Sequence, residues 1–225
     1  MAIQLADLDT QKFSIGKAAV FYAPAWNFNS DLHAAMGFLG FTEGEVTVEF
    51  NETYNSLTLP EYTGDAPHEQ YVQGEAPEIN LPLYAADPAI RGILSPTGSG
   101  SGGRRRQQPV TAYTVALIPE EFFLDPTDPD LQTDLPLVPT GSGWTLGGTA
   151  LTDDQQELLD QGAWFWRVRF GKPQLLYQHE EGGKVLVDVT GSVLYQVAAP
   201  NGHRLYTLGD PYDAGIDILT GPTES

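Results

Sequence analysis

The sequence predicts a mainly β chain, a β-sandwich or partial barrel with one or two short flanking helices and long loops. Three observations carry that prediction. Five segments alternate apolar and polar residues with a period of two, the pattern of half-buried strands. The 225 residues include 24 Gly, 17 Pro, 10 Tyr and 10 Phe, a composition that favours turns and strands over helices. Hydrophobic residues make up 41% of the chain, enough for a sizeable core, while charged residues make up only 18%.

The strands follow in order. In GEVTVEF (44–50), Val46, Val48 and Phe50 alternate with Thr47 and Glu49. In EINLPLYAAD (78–87), Ile79, Leu81 and Leu83 share a face, and in TAYTVALIP (111–119) Tyr113, Val115 and Leu117 do so. In AWFWRVRF (163–170), Trp164, Trp166, Val168 and Phe170 are expected on one face, opposed by Arg167 and Arg169. In KVLVDVTGSVLYQV (184–197), Val185, Val187 and Val189 oppose Leu186, Asp188 and Thr190. HRLYTLGD (203–210) is a last short strand running into a turn.

Helices are few. DPAIRGIL (87–94) has Asp87 as an N-cap and Pro88 at the first helical position, with Gly92 limiting it to a turn or two. TDDQQELLDQGAW (152–164) starts a better helix, capped by Thr152, with Asp153 and Asp154 at the positive end of its dipole and Gly162 as a stop. NSDLHAAMGFLG (29–40) is a third candidate, capped by Ser30 or Asp31. Residues 51–77, 95–109 and 124–149 have loop composition, although Ser56–Leu59 and Gln70–Gln73 have some strand character. Strand signals continue on both sides of each, so they are insertions in a single domain spanning 1–225, with residues 1–40 as an N-terminal arm.

Charge and motifs narrow the function. The formal net charge of −19 opposes non-specific nucleic-acid binding and an anionic membrane surface, but it suits a conduit that DNA passes without sticking. With no cysteine there is no disulfide scaffold and no thiolate metal site. The start, MAIQLADLDTQKF, has neither a basic region nor a long apolar run, so no secretory leader is expected. Apolar runs fall short of the ~20 residues of a membrane span. Gly98-x-Gly100-x-x-Gly103 matches a dinucleotide fingerprint in letters, but RRRQQP follows it where a helix should start. Asp125, Asp128, Asp130 and Asp134 form an acidic loop lacking the calcium-loop pattern and broken by prolines. His33, His68, His179 and His203 are scattered, and no G-x-S-x-G elbow exists. No catalytic residue, cofactor or metal is expected, and the chain is not expected to be an enzyme.

The order of the pieces carries a resemblance. GEVTVEF leads to a long excursion, and the chain returns through YVQGEAPEINLPLYAADPAIRGIL to the strand TAYTVALIPEEF. Late in the chain comes PQLLYQHEEGGKVLVDVTGSVLYQVAAPNGHRLYTLGD, where an acidic turn feeds a long strand that precedes a Y-T-L-G-D end. Over about residues 40–210 this resembles the major tail (tail tube) protein of long-tailed bacteriophages. The acidic, Pro-rich 124–149 segment and the arginine loop depart from that pattern.

The resemblance implies a structural virion protein, made in the host cytoplasm, whose copies form stacked hexameric rings around a channel for DNA ejection. Its partners would be copies of itself, the tape measure and tail terminator proteins, and DNA in transient passage, with no membrane. It also implies that the strands at 44–50, 78–86, 111–119 and 184–197 form the inner sheet. Glu45, Thr47, Glu49, Asn80, Asp188 and Thr190 are then candidate lumen residues, against the plainer reading of a solvated outer face. An extended hairpin and loops would bridge neighbouring copies and rings.

Three of the chain's 11 cations, Arg104, Arg105 and Arg106, close the floppy stretch SPTGSGSGGRRRQQP (95–109). Residues 110–166 hold ten acidic side chains and no Lys or Arg. The arginines are therefore candidate contacts for acidic loops of an adjacent copy, among them Glu120, Glu121, Asp125, Asp128 and Asp130. The plainer reading is a solvated loop. The alternative function is a carbohydrate- or receptor-binding β-sandwich module of a virion or secreted assembly. It needs Trp164 and Trp166 exposed as a stacking platform, whereas aromatic stripes on strands are more often core.

Overall fold

The computed structural model describes residues 10–25, 35–57, 69–84, 112–123, 136–140, 143–171, 174–177, 185–194 and 205–211. The helix expected over 87–94, the stretch 95–109 and the four histidines lie outside them. The strands are β1 (Thr10–Ile15), β2 (Ala18–Pro24), β3 (Gly37–Phe41), β4 (Val46–Leu57), β5 (Glu69–Tyr84), β6 (Tyr113–Pro119), β7 (Leu137–Thr140), β8 (Gly143–Leu146), β9 (Thr149–Ala150), β10 (Ala163–Phe170), β11 (Gln174–Tyr177), β12 (Val185–Val193) and β13 (Tyr206–Leu208). Among the described residues one helix, α1 (Asp153–Asp160), stands between β9 and β10. The fold is mainly β and sandwich-like, a large antiparallel sheet with a small second sheet, as the sequence predicts.

The large sheet runs β1-β4-β5-β12-β10-β6-β2-β3, with β11 added to β12 and β13 to β10. It cannot be flat. Strands β1 and β2 are six spacings apart along this path, roughly 29 Å in an open sheet. Only Gly16 and Lys17 join them, a reach of at most ~11 Å. The sheet therefore curls until its two ends meet. The meeting is between the end of β3 and β5: Thr42 bridges Leu83, and Glu43 N–H donates to Pro82 O at 2.8 Å. Gly40 belongs to this seam. Its φ is +143°, and a Cβ there would lie 2.7 Å from the Tyr84 carbonyl oxygen. Burial, and next the carboxylate of Glu43 that the Tyr84 hydroxyl bonds, push the Tyr84 phenol above its ordinary pKa.

Curling gives the sheet an inside and an outside. The inside is one apolar core to which all eight strands of the path contribute, among them Ile15, Val20, Leu39, Val48, Leu81, Leu117, Phe165, Val168 and Val189. Outside, the half made by β3, β2, β6 and β10 carries a second core of Phe21, Phe41, Ile118, Trp164 and Trp166. A 3-10 turn at Glu120–Phe122, helix α1 and the small β7-β8-β9 sheet cover it through Phe122, Leu159, Leu137 and Trp144. Strand β6, buried along Thr114–Ile118, is thus interior on both faces. It lies in the same sheet as β4, β5 and β12, and its alternates Ala116 and Ile118 point into the second core.

Helix α1 begins at the expected cap. Thr152 Oγ1 accepts from Gln155 N–H at 3.2 Å, and Gln155 Oε1 accepts from Thr152 N–H at 3.0 Å, a reciprocal pair that satisfies two end donors. Three other expectations change. The helix proposed over 29–40 does not include residues 36–40: Met36 bridges Leu137, and Gly37–Phe41 is β3, where two poor helix formers lie within five residues. The loop proposed over 51–77 is largely strand, because β4 and β5 stay paired from Thr47↔Asn80 out to Leu57↔Glu69. The 124–149 loop contains β7, β8 and the start of β9. Strands β1 and β2 fall in the segment read as an N-terminal arm, and both belong to the main sheet.

Candidate assembly surface

The outer face of β4, β5 and β12 is not covered by the helix or the small sheet. Inward residues Val46, Val48, Ile79, Leu81, Leu83, Val187 and Val189 are buried, so their alternates face out. Register places these alternates in rows. Thr47, Asn80 and Thr190 lie directly across from one another, with Asn80 and Thr190 exposed. The next row is Glu49, Glu78, Ser192 and Arg169 across β4, β5, β12 and β10. Asp188 lies opposite Pro82, which has no donor to offer, and Asp188 Oδ1 is buried without a hydrogen-bond partner. Glu45, just before β4, is exposed. All six sequence-derived surface candidates therefore share this face, and the structure adds Glu78, Ser192 and Arg169. Glu78 was readable from PEINL, one residue before Ile79.

Beyond Asn51 on β4 and Glu78 on β5, the paired strands have no third strand beside them among the described residues. They continue as a two-stranded arm. Such a ribbon is marginal alone in water, which makes it suited to a partner surface.

Strand β10 connects the covered and uncovered halves. Its pairing with β6 slips between Phe165 and Val168, so Trp166 and Arg167 together oppose Thr114. This bulge corrects the expected stripe. Trp164 and Trp166 lie in the outer core, whereas Val168 and Phe170 join Phe165 in the inner one. Arg167 and Arg169 emerge on the same side as the tryptophans, where the covering layer ends, and both are exposed.

The tryptophans are structural. Trp144, Trp164 and Trp166 stack in series, with ring centroids 4.7 and 6.4 Å apart, and both Trp164 and Trp166 are 0% exposed. They form no sugar-stacking platform. Trp144 Nε1 donates to Asp210 Oδ1 at 3.0 Å, and Gln156 Nε2 donates to Asp210 Oδ2 at 2.7 Å. Asp210 thus ties the end of β13 to the small sheet and to α1. Gly209, at φ +82°, makes the turn, donating its N–H to Gly162 O at 2.9 Å. The L-G-D segment (208–210) is this latch, which alternation alone does not reveal.

Of the other contact candidates, Glu120 in the 3-10 turn lies 3.9 Å from the Lys17 ammonium, and Glu121 is exposed. A partly exposed pair of this kind contributes little. Arg104, Arg105, Arg106, Asp125, Asp128 and Asp130 lie outside the described residues.

Fold and surface together define a class: a curled antiparallel β protein with one half buttressed and one half presenting a polar, acidic sheet face. No protein-family model matches the chain, and no curated protein matches it.

Proposed function

We propose that the chain is the tube-forming subunit of a long-tailed phage tail, a structural protein whose rings stack into a conduit for DNA. The observation that carries the reading is the division of the sheet. One half is buttressed by α1 and the small sheet, and the other leaves a polar face with Glu45, Glu49, Glu78 and Asp188, bordered on its β10 side by Arg167 and Arg169. In a ring this face lines the bore. Each copy brings a formal charge of −19, so a bore lined by it repels phosphates instead of trapping them through counterion release. The β4–β5 arm reaches an adjacent copy or ring, which covers an otherwise marginal ribbon. The order of sequence elements from GEVTVEF to YTLGD supports the same reading. Tape measure and terminator proteins would meet the bore and the tube end.

Sedimentation velocity over a range of protein concentrations tests this. The reading expects a discrete ring-sized species growing into larger ones. A monomer at every concentration counts against it.

A further inference from the structure

The polar sheet face is charged unevenly. On the β4–β5 side it carries Glu45, Glu49 and Glu78, and on the β10 side Arg167 and Arg169. Among the described residues the only other cations are Lys12, in register beside Glu49 on β1, and Lys17, in a chain with 30 acidic residues and 11 basic ones. Neither Arg167 nor Arg169 forms an ion pair among the described residues. Arg169 and Glu78 share a row but are separated by β12, about 10 Å between backbones. The bulge at Trp166–Arg167 brings both arginines to this side, because uninterrupted alternation would turn them into the inner core.

We infer that Arg167 and Arg169 of one copy contact the Glu45, Glu49 and Glu78 strip of the next, in a head-to-tail interface across the two sides of this face. The inference rests on the ring-forming reading and names the contact that closes the ring. A basic strip and an acidic strip at opposite sides of one face are complementary between translated and rotated copies. Such a heterologous interface closes into a ring when the rotation per copy divides a full turn. Opposite charges fix which sides meet and speed encounter, and like-charged sides reject each other. The contact weakens with added salt, as exposed pairs do.

Two charge-reversed chains test it. One carries Arg167→Glu and Arg169→Glu, so both of its strips are acidic. The other carries Glu49→Arg and Glu78→Arg, so both are basic. Thermal unfolding by circular dichroism first establishes that each is folded. Light scattering and sedimentation then give the concentration for half-assembly. Each variant alone should need at least about tenfold more protein than the unmodified chain. An equimolar mixture should recover assembly, because alternating copies restore complementarity. Unmodified assembly by the Arg167→Glu, Arg169→Glu chain alone overturns this contact and leaves the tube reading standing. So does a mixture that assembles no better than its parts. An unmodified chain that never assembles overturns both.

Discussion

Glu49 on β4 sits directly across from Glu78 on β5, two carboxylates facing the same side of the sheet. Like charges in directly opposite positions destabilise an antiparallel pair. Lys12 on β1 occupies the register position on the other side of Glu49, while Glu78 has Ser192 as its other neighbour. Neutralising Glu78 should therefore stabilise the monomer. Glu78→Gln is expected to raise the unfolding free energy by up to about 1 kcal/mol in urea titrations. A loss of stability would mean that the carboxylate is held by a favourable contact. Retaining an unfavourable pair on an exposed sheet is consistent with a demand for negative charge there.

The Asp210 latch makes a second prediction. Asp210→Ala removes the acceptor for the Trp144 indole and the Gln156 amide, one of them deeply buried. The expected cost is at least ~2 kcal/mol, since a buried donor left unpaired is penalised in full. Urea unfolding monitored by tryptophan emission measures it. A change below about 0.5 kcal/mol would show that the C-terminal strand does not hold the small sheet and α1 in place.

Gly40 makes a third. Alanine there meets the Tyr84 carbonyl and must adopt a positive φ. Because that contact lies at the seam where β3 reaches β5, Gly40→Ala should open the curled sheet and cost several kcal/mol. Amide hydrogen exchange locates the effect: faster exchange at Glu43, the donor across the seam to Pro82 O, is expected. Unchanged protection at Glu43 would contradict the closure.

Fluorescence separates the core tryptophans from a binding face. In Trp26→Phe, only Trp144, Trp164 and Trp166 remain, all buried. Emission should be blue-shifted, resistant to acrylamide and unresponsive to added oligosaccharides. Red-shifted emission that responds to a sugar would favour the carbohydrate-binding alternative.

Much of the fold was legible because alternation and capping are local signals. The strand at Ala163–Phe170 has the predicted boundaries, and Thr152 caps the helix that TDDQQELLD announces. The six surface candidates came from the same alternation and share one face. What stayed hidden depends on partners distant in sequence. The bulge in β10 exists because Thr114 on β6 takes up two residues, Trp166 and Arg167, and no local pattern records that. The polar arm NETYNSL lacks alternation, yet it is a strand because β5 pairs with it along its length. Met36–Phe41 resembled the continuation of a short helix, and β2 together with Leu137 draws it into strand pairing. Asp210 looked like a turn residue, and its role appears only where Trp144 and Gln156 meet it.

Electron microscopy of the purified, concentrated protein tests the central claim most directly. The account predicts hollow tubes of stacked rings, with the outer face of β4, β5 and β12 turned to the bore. Monomers alone at every concentration would contradict it, as would tubes in which that face is turned outward.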